Sequence, residues 1–127
     1  MNENQISKIV VDAAVKLHMD LGPGLLESVY ETALAHLLRK KGLICERQVP
    51  IPFEYDDILF DEGFRADIII NNLVILELKS VEAIAPVHRK QIQTYLRLTD
   101  KKLGILLNFG APLMKDGIVR AVNQLEG

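Results

Sequence analysis

The chain has 127 residues, the length of one typical domain, and its apolar, charged, glycine and proline contents are those of ordinary globular proteins. Its formal net charge is -2 at pH 7. This charge argues against a protein that coats nucleic acid nonspecifically, because such binding depends on many basic residues that release counterions from phosphates. Cys45 is the only cysteine, so an internal disulfide is excluded. We therefore expect a single domain over residues 1–127.

The N-terminal segment, MNENQISKIVVD, lacks the basic start and the long apolar stretch of an export signal. No apolar run in the chain approaches the roughly 18 residues that a membrane span needs. A lone cysteine gives no sign of an oxidising compartment. These features predict a cytoplasmic protein without a membrane anchor.

Two amphipathic helices are predicted before any strand. The first follows the three-and-four spacing of apolar residues over positions 6–21 and ends at Gly22-Pro23-Gly24. The second carries its apolar face over positions 26–38 and ends at Gly42, because glycine readily adopts the left-handed stop conformation. Glu27 opens the second helix, where the positive end of the helix dipole by itself explains a carboxylate.

The strands follow these helices. Positions 49–55 alternate apolar residues with two prolines, and prolines cannot donate ladder hydrogen bonds, so this segment is predicted to be an edge strand. After a turn near Asp61-Glu62-Gly63, the segments FRADIII and LVILELKS indicate two central strands joined by a tight hairpin at Asn71-Asn72.

Pro86 opens a third helix that runs to about Thr99, and LGILLNF follows as a further strand. This order predicts a right-handed parallel crossover and therefore a mixed sheet. The tail over positions 112–119 adds a short element whose type stays open. The predicted fold class is α/β, with a central mixed sheet flanked by helices. A small core with an exposed edge strand would gain from a symmetric partner, which favours a homo-oligomer.

Charged residues interrupt the apolar strand LVILELKS. Glu77 and Lys79 are two residues apart and therefore point to the same face of the strand. Buried unpaired charges are strongly unfavourable, so the pair needs each other, a metal or a ligand. A structural ion pair is one explanation. The other starts from Asp67 on the neighbouring strand, because two carboxylates and a lysine suit a divalent cation such as Mg²⁺ in phosphodiester hydrolysis.

The second explanation depends on the register of the hairpin. A two-residue loop at Asn71-Asn72 would pair Asp67 with Leu76 and place Asp67 on the face away from Glu77. A three-residue loop spanning positions 71–73, or a bulge near Asp67, would pair Asp67 with Glu77 instead. We predict the shifted register.

On the third helix, Val87, Gln91, Tyr95 and Leu98 form a stripe at helical spacing. This stripe predicts that Gln91 lies on an apolar face, where its amide would need a hydrogen-bond partner.

Other candidates have simpler structural explanations. His88 is predicted to be a surface residue near a helix start, and Arg65 to lie on the strand face away from the site. Tyr30 is predicted to be a core aromatic whose hydroxyl finds a partner. The basic clusters at positions 39–41 and 101–102 are typical of helix ends, where positive charge complements the dipole.

The run Gly24-Leu25-Leu26-Glu27-Ser28-Val29-Tyr30 resembles the signature of the small bacterial and archaeal GxxExxY proteins, which are assigned to the PD-(D/E)XK nuclease superfamily. The resemblance covers nearly the whole chain. In that superfamily the site combines an early helical Glu, an Asp ending one strand, E-x-K on the next strand and, in one branch, Q-x-x-x-Y on the following helix. The same order is found here in Glu27, Asp67, Glu77-Leu78-Lys79 and Gln91-Ile92-Gln93-Thr94-Tyr95.

The resemblance implies a restriction-endonuclease-like core and a metal site. Asp67 and Glu77 would ligate Mg²⁺ or Mn²⁺, with the Leu78 carbonyl as a third protein ligand. Lys79 would orient the attacking water or steady the phosphate. One departure from the superfamily's pattern is that an alanine, not a proline, precedes Asp67.

The resemblance also implies roles for the helices. Glu27 would act through a water on the metal, and Gln91 and Tyr95 would line the site and hold the scissile phosphate or Lys79. Two functions follow. One is a metal-dependent nuclease acting on DNA or RNA. The other is a noncatalytic nucleic-acid-binding or assembly module, which a sealed rather than an accessible cleft over Glu77 would favour.

Overall fold

The computed structural model describes residues 1–126, so the last residue of the expected 1–127 domain lies outside the described residues. Both predicted N-terminal helices precede the strands: α1 covers Glu3–Leu21 and α2 covers Glu27–Lys40. Asn2 caps α1 by accepting the Gln5 N–H at 2.9 Å. Within the described part of the chain, no helix combines the length and the apolar character that crossing a membrane requires.

The strands form one five-stranded mixed sheet in the order β1-β2-β3-β4-β5. The pair β3–β4 is parallel and the other pairs are antiparallel, so the predicted mixed sheet is confirmed. The predicted edge strand is also confirmed, because β1 has one neighbour. The remaining bounds are β1 Cys45–Tyr55, β2 Ile58–Ile70, β3 Val74–Lys79, α3 Pro86–Thr99, β4 Leu103–Asn108, a 3₁₀ turn at Met114–Asp116, and β5 Ile118–Val122.

Helices cover both faces of the sheet. The apolar sides of α1 and α2 pack on one face with alternate residues of the central strands, among them Ile68, Leu76 and Ile105. On the other face, α3 packs through Ile92 and Leu96. This layering agrees with the sheet flanked by helices that the sequence predicts, and it leaves Glu77 of β3 buried within the sheet.

The predicted turn at Asp61-Glu62-Gly63 is wrong. The hairpin turns at Asp56 and Asp57, whose positive φ angles of 48° and 65° suit a tight two-residue turn. Residues 61–63 instead form a bulge within β2, where the pairing shifts between Ile51 and Phe53. Glycine fits at position 63, because a Cβ atom there would lie 2.2 Å from the Phe53 ring and would force the ring to move.

Candidate active site

The turn between β2 and β3 has the predicted three residues, Asn71–Leu73, and it pairs Ile70 with Val74 and Ile68 with Leu76. Continuing this register by one residue brings Asp67 opposite Glu77. The predicted shift is therefore confirmed. Asn71 and Asn72 both have left-handed φ angles, 50° and 55°, which asparagine tolerates better than most residues.

The ladder between β2 and β3 stops at this point. Instead of a backbone carbonyl, the Asp67 side chain accepts the Leu78 N–H, with 2.8 Å between Oδ2 and N. Side-chain alternation also breaks here: Ala66 packs with the α3-side core, whereas Ile68 packs with the α1 and α2 side. Asp67 thus lies where the two strands separate, with its carboxylate inserted between them.

Glu77 is the buried carboxylate of the site, with 6 % of its surface exposed. Among the described residues its Oε1 atom has no hydrogen-bond partner. Burial raises the pKa of Glu77 to about 9, and the negative charge of Asp67 adds to this shift while Lys79 opposes it. A carboxylate in this state is costly unless something compensates it, so the fold alone does not explain why Glu77 is present.

Lys79 ends β3 on the same face as Glu77, as predicted, and is half-buried. Within residues 1–126 its ammonium group forms no ion pair with any carboxylate. The structural explanation of Glu77 and Lys79 as an ion pair is therefore wrong. Lys79 opposes the pKa shift of Glu77 from a distance and keeps its donors available.

Tyr95 on α3 is half-buried and stacks on Phe64, with 3.8 Å between the ring centroids. Burial raises the pKa of Tyr95, and the charges of Glu77 and Asp67 raise it further. Tyr95 therefore interacts electrostatically with both carboxylates, as expected for a residue that lines the same site.

The predicted placement of Gln91 is wrong. Gln91 is exposed, and the buried face of α3 is carried by Ile92 and Leu96. The stripe was misleading because two of its apolar members, Val87 and Leu98, are themselves largely exposed. Gln91 still lies one helical turn before Tyr95. Its predicted role in binding the substrate therefore stays a prediction, and burial does not support it.

Glu27 is the first residue of α2, as predicted, and its carboxylate reaches the loop after β3. Its Oε2 atom accepts the Ser80 N–H at 3.2 Å, and the Ser80 hydroxyl donates to the Leu25 carbonyl at 3.1 Å. Asn108 holds the same loop from β4 by accepting the Val81 N–H at 3.0 Å. These contacts fix the start of α2 against the end of β3.

Tyr30 is the buried core aromatic that the sequence predicts. Its ring stacks on Phe109, and its hydroxyl donates to the Gly22 carbonyl and accepts the Leu25 N–H at 3.1 Å. The hydroxyl thus pins the loop that leads to Glu27.

Because of these two hydrogen bonds, we expect Tyr30→Phe to lower the free energy of unfolding by about 1 kcal/mol. Chemical denaturation measures the change. Tyr55→Phe is the matched control, since Tyr55 is exposed at the end of β1. Equal stability of the two variants would show that the loop does not depend on the hydroxyl.

Three polar residues of the site were not predicted. Glu31 on α2 is buried and pairs with Arg47 of β1, with 2.9 Å between the Arg47 guanidinium and Oε2. Gln48 donates from its amide to Glu31 at 2.6 Å and to Asp67 at 3.4 Å. The sequence did not predict this group, because no spacing pattern connects Glu31, Arg47 or Gln48 with Asp67.

A cavity of about 270 Å³ opens beside these residues. Three predicted site residues line it, namely Glu27, Asp67 and Leu78. The other lining residues were not predicted: Ser28, Glu31, Arg47 and Gln48. Glu77 is not part of its wall. The cavity therefore gives access to Asp67 but not to Glu77.

Two residues that were predicted to lie outside the site have structural contacts of their own. His88 is half-buried rather than a surface residue, and it caps the start of α3 by accepting the Ala85 N–H on Nδ1 at 3.0 Å. Arg65 pairs with Glu62 on the exposed surface. Neither contributes to the cavity wall.

In the part of the chain that the structure describes, no group of three His, Cys, Asp or Glu side chains converges to hold a metal ion. The carboxylates that do meet are Asp67 and Glu77. Mg²⁺ is commonly bound by one or two carboxylates, with water and substrate phosphate completing its shell. Two carboxylates are thus a sufficient protein contribution for such an ion.

A family profile described as the PD-(D/E)XK nuclease superfamily matches residues 4–121. The chain belongs to this superfamily. No curated protein and no solved structure matches it. The superfamily assignment agrees with the mixed sheet, the helices on both faces, and the two helices before the strands.

The residues predicted to carry the pattern that names the superfamily lie on the separating strands. Asp67, after Ala66, is the predicted first acidic residue, and Glu77-Leu78-Lys79 is the predicted (D/E)XK segment. The finer resemblance to the GxxExxY proteins depends on Gly24, Glu27 and Tyr30, and it stays a prediction.

Proposed function

We propose that this superfamily member is a divalent-metal-dependent nuclease that hydrolyses phosphodiester bonds of DNA or RNA. The observation that carries the proposal is Glu77: a buried carboxylate with an unpartnered oxygen, beside Asp67 and on the same face as an unpaired lysine. Stability alone would favour replacing such a group by an apolar residue. A bound cation would supply the compensation that the protein lacks.

The residues fit Mg²⁺ or Mn²⁺. Asp67 and Glu77 would hold the ion through hard oxygen donors, and the Leu78 carbonyl is the proposed third ligand. When bound, such an ion makes a coordinated water more acidic and neutralises charge on a phosphate oxygen. The raised pKa of Glu77 is consistent with a site that binds a cation, because a bound cation would stabilise the ionised carboxylate and lower this pKa.

The other residues would act on water and phosphate. Lys79 would hold the phosphate or orient the attacking water with donors that no carboxylate occupies. Glu27 would position a water through the carboxylate oxygen that Ser80 does not use. Tyr95, fixed by Phe64, and Gln91, exposed one turn earlier, would contact the substrate backbone.

We further propose that the chain is one of the GxxExxY proteins, that residues 1–127 form one nuclease-like domain, and that it acts on nucleic acid in the cytoplasm. A homo-oligomer remains part of the proposal, because β1 leaves one edge of the sheet unpaired.

The second candidate is a noncatalytic nucleic-acid-binding or assembly module on the same fold. The observation in its favour is that Glu77 is 6 % exposed and does not line the cavity beside Asp67. A sealed carboxylate cannot take part in hydrolysis unless the site opens. The module would bind nucleic acid equally well with and without metal.

Calorimetric titration with Mg²⁺ and Mn²⁺ tests the proposal, followed by cleavage assays on single-stranded and duplex DNA and RNA with and without a chelator. We expect saturable metal binding in the wild type and binding about 10-fold weaker or worse in Asp67→Asn, which keeps the shape but loses the charge. Asp61→Asn is the control, because Asp61 is an exposed aspartate on the same strand.

Metal-dependent cleavage that the chelator abolishes and Asp67→Asn impairs would support the nuclease. A wild-type protein that neither binds metal nor cuts any of the four substrates would overturn it. Metal-independent binding of nucleic acid without cleavage would identify the second candidate instead.

A further inference from the structure

Gln48 has a backbone conformation that its sequence does not explain. Its φ angle is 50°, in the left-handed region that is uncommon for residues other than glycine and asparagine. It lies in β1 between the pairs Arg47–Ile68 and Val49–Ala66, and therefore opposite Asp67. Strained residues of this kind persist where the surrounding structure holds them in place.

Both strands change side-chain direction at this cross-strand position. In β1, Arg47 reaches Glu31 on the α2 side, whereas Val49 packs with the α3-side core. In β2 the same change occurs on either side of Asp67. The left-handed residue in β1 thus coincides with the break in β2, and it turns the Gln48 amide toward α2.

The Gln48 amide lies between two carboxylates. Its nitrogen is 2.6 Å from Glu31 Oε1 and 3.4 Å from Asp67 Oδ1. A side-chain amide has two N–H groups and can donate to both at once. The orientation of the amide is therefore defined, since its oxygen facing either carboxylate would be repelled.

Arg47 holds the other end of this arrangement. Its Nε donates to Glu31 Oε2 at 3.0 Å, and its guanidinium also donates to the Thr32 hydroxyl at 2.8 Å. Because the Arg47 guanidinium pairs with Glu31, it does not form an ion pair with Asp67. An arginine paired directly with Asp67 would compete with any cation for that carboxylate.

We infer that Gln48 is a positioning residue, which fixes the Asp67 carboxylate in the orientation that a metal site needs and is itself anchored by Glu31 and Arg47. The inference rests on the proposed function. Asp67 is held at both oxygens, Oδ1 by Gln48 and Oδ2 by the Leu78 N–H. Partners of metal ligands typically change metal affinity by about 10- to 100-fold when they are removed.

The test uses Gln48→Met, which keeps the length of the side chain and removes both donors. In the metal-free protein, hydrogen exchange of the Leu78 amide reports on its bond to Asp67. We expect this amide to exchange about 10-fold faster in the variant, and Mg²⁺ or Mn²⁺ to bind about 10- to 100-fold more weakly. The control is Gln93→Met, because Gln93 also donates from its amide, to the Val122 carbonyl on the other side of the sheet.

A folded Gln48→Met variant with unchanged Leu78 exchange and unchanged metal affinity would overturn the inference. Faster Leu78 exchange in a protein that binds no metal would support the positioning of Asp67 and overturn the proposed function. If the variant does not fold, hydrogen exchange of side-chain amides in the wild-type protein tests the inference instead. Gln48 and Gln91 are both exposed, but only the Gln48 amide donates to carboxylates, so its side-chain protons should exchange at least several-fold more slowly than those of Gln91. Equal rates would overturn the inference.

Discussion

Replacing Glu77 with glutamine is expected to raise the free energy of unfolding of the metal-free protein at pH 8 by several kcal/mol, with about 5 kcal/mol as the upper limit. Glutamine has nearly the shape of the protonated acid and carries no charge at any pH. The buried wild-type carboxylate has a pKa of about 9, against an ordinary value of 4.5, so the folded protein must retain a proton that the unfolded chain releases. Retaining this proton lowers the stability of the wild type.

The effect depends on pH in a defined direction. Below about pH 4.5 Glu77 is protonated in both states, and its contribution to stability is fully present. As pH rises toward 9, the unfolded chain binds fewer protons than the folded one, so stability is lost by up to roughly 1.4 kcal/mol per pH unit. The stability difference between Glu77→Gln and wild type should therefore grow from pH 5 to pH 9.

Denaturation curves at several pH values measure this difference. Glu46→Gln is the control, because Glu46 is an exposed glutamate on β1. A difference that stays constant across the pH range would show that Glu77 is ionised in the folded protein. The same Glu77→Gln variant should bind metal poorly, so that the change which stabilises the fold impairs the site.

Replacing Lys79 with methionine is expected to reduce the cleavage rate by about 10²- to 10³-fold while leaving metal affinity nearly unchanged. Methionine fills the same half-buried space without a charge. Since Lys79 forms no ion pair within the described residues, its loss leaves no buried partner unsatisfied and should cost little stability. A lower cleavage rate at unchanged metal affinity and stability would distinguish a catalytic role of Lys79 from a structural one.

Single-turnover cleavage and metal titration together measure this prediction. Lys90→Met is the control, because Lys90 is exposed on α3. Lys79→Arg should recover part of the rate, since it restores a cation with a different geometry. A Lys79→Met variant that cuts at the wild-type rate would remove Lys79 from the proposed site.

The sequence predicted those parts of the fold that depend on local periodicity. Two helices ended by glycines, a proline-bearing edge strand and two apolar central strands all follow from patterns of three, four or two residues. The same reasoning located Glu77 and Lys79, because their spacing within β3 fixes their common face. Even the register at Asp67 was predictable, since only one of two turn lengths brought the carboxylates together.

Features that depend on contacts between distant segments were not predictable. The bulge at Asp61–Gly63 has the composition of a turn, and only the packing of Phe53 against Gly63 distinguishes the two. Gln91 was placed on an apolar face because Val87 and Leu98 are apolar, although neither is covered by another element. The contact of Gln48 with Asp67 was not predictable, because it depends on a left-handed backbone conformation that no local sequence pattern indicates.

The turn between β2 and β3 has a consequence for how this protein can vary. Its three residues, Asn71–Leu73, contain no group of the site, and Asn71 binds instead to the backbone of Ile44. Yet the length of the turn sets the register that brings Asp67 opposite Glu77. Substitutions here are compatible with an intact site, whereas the gain or loss of one residue would be as harmful as losing Asp67 itself. Descendants of this chain that keep the proposed activity should therefore preserve the number of residues in this turn more strictly than their identity.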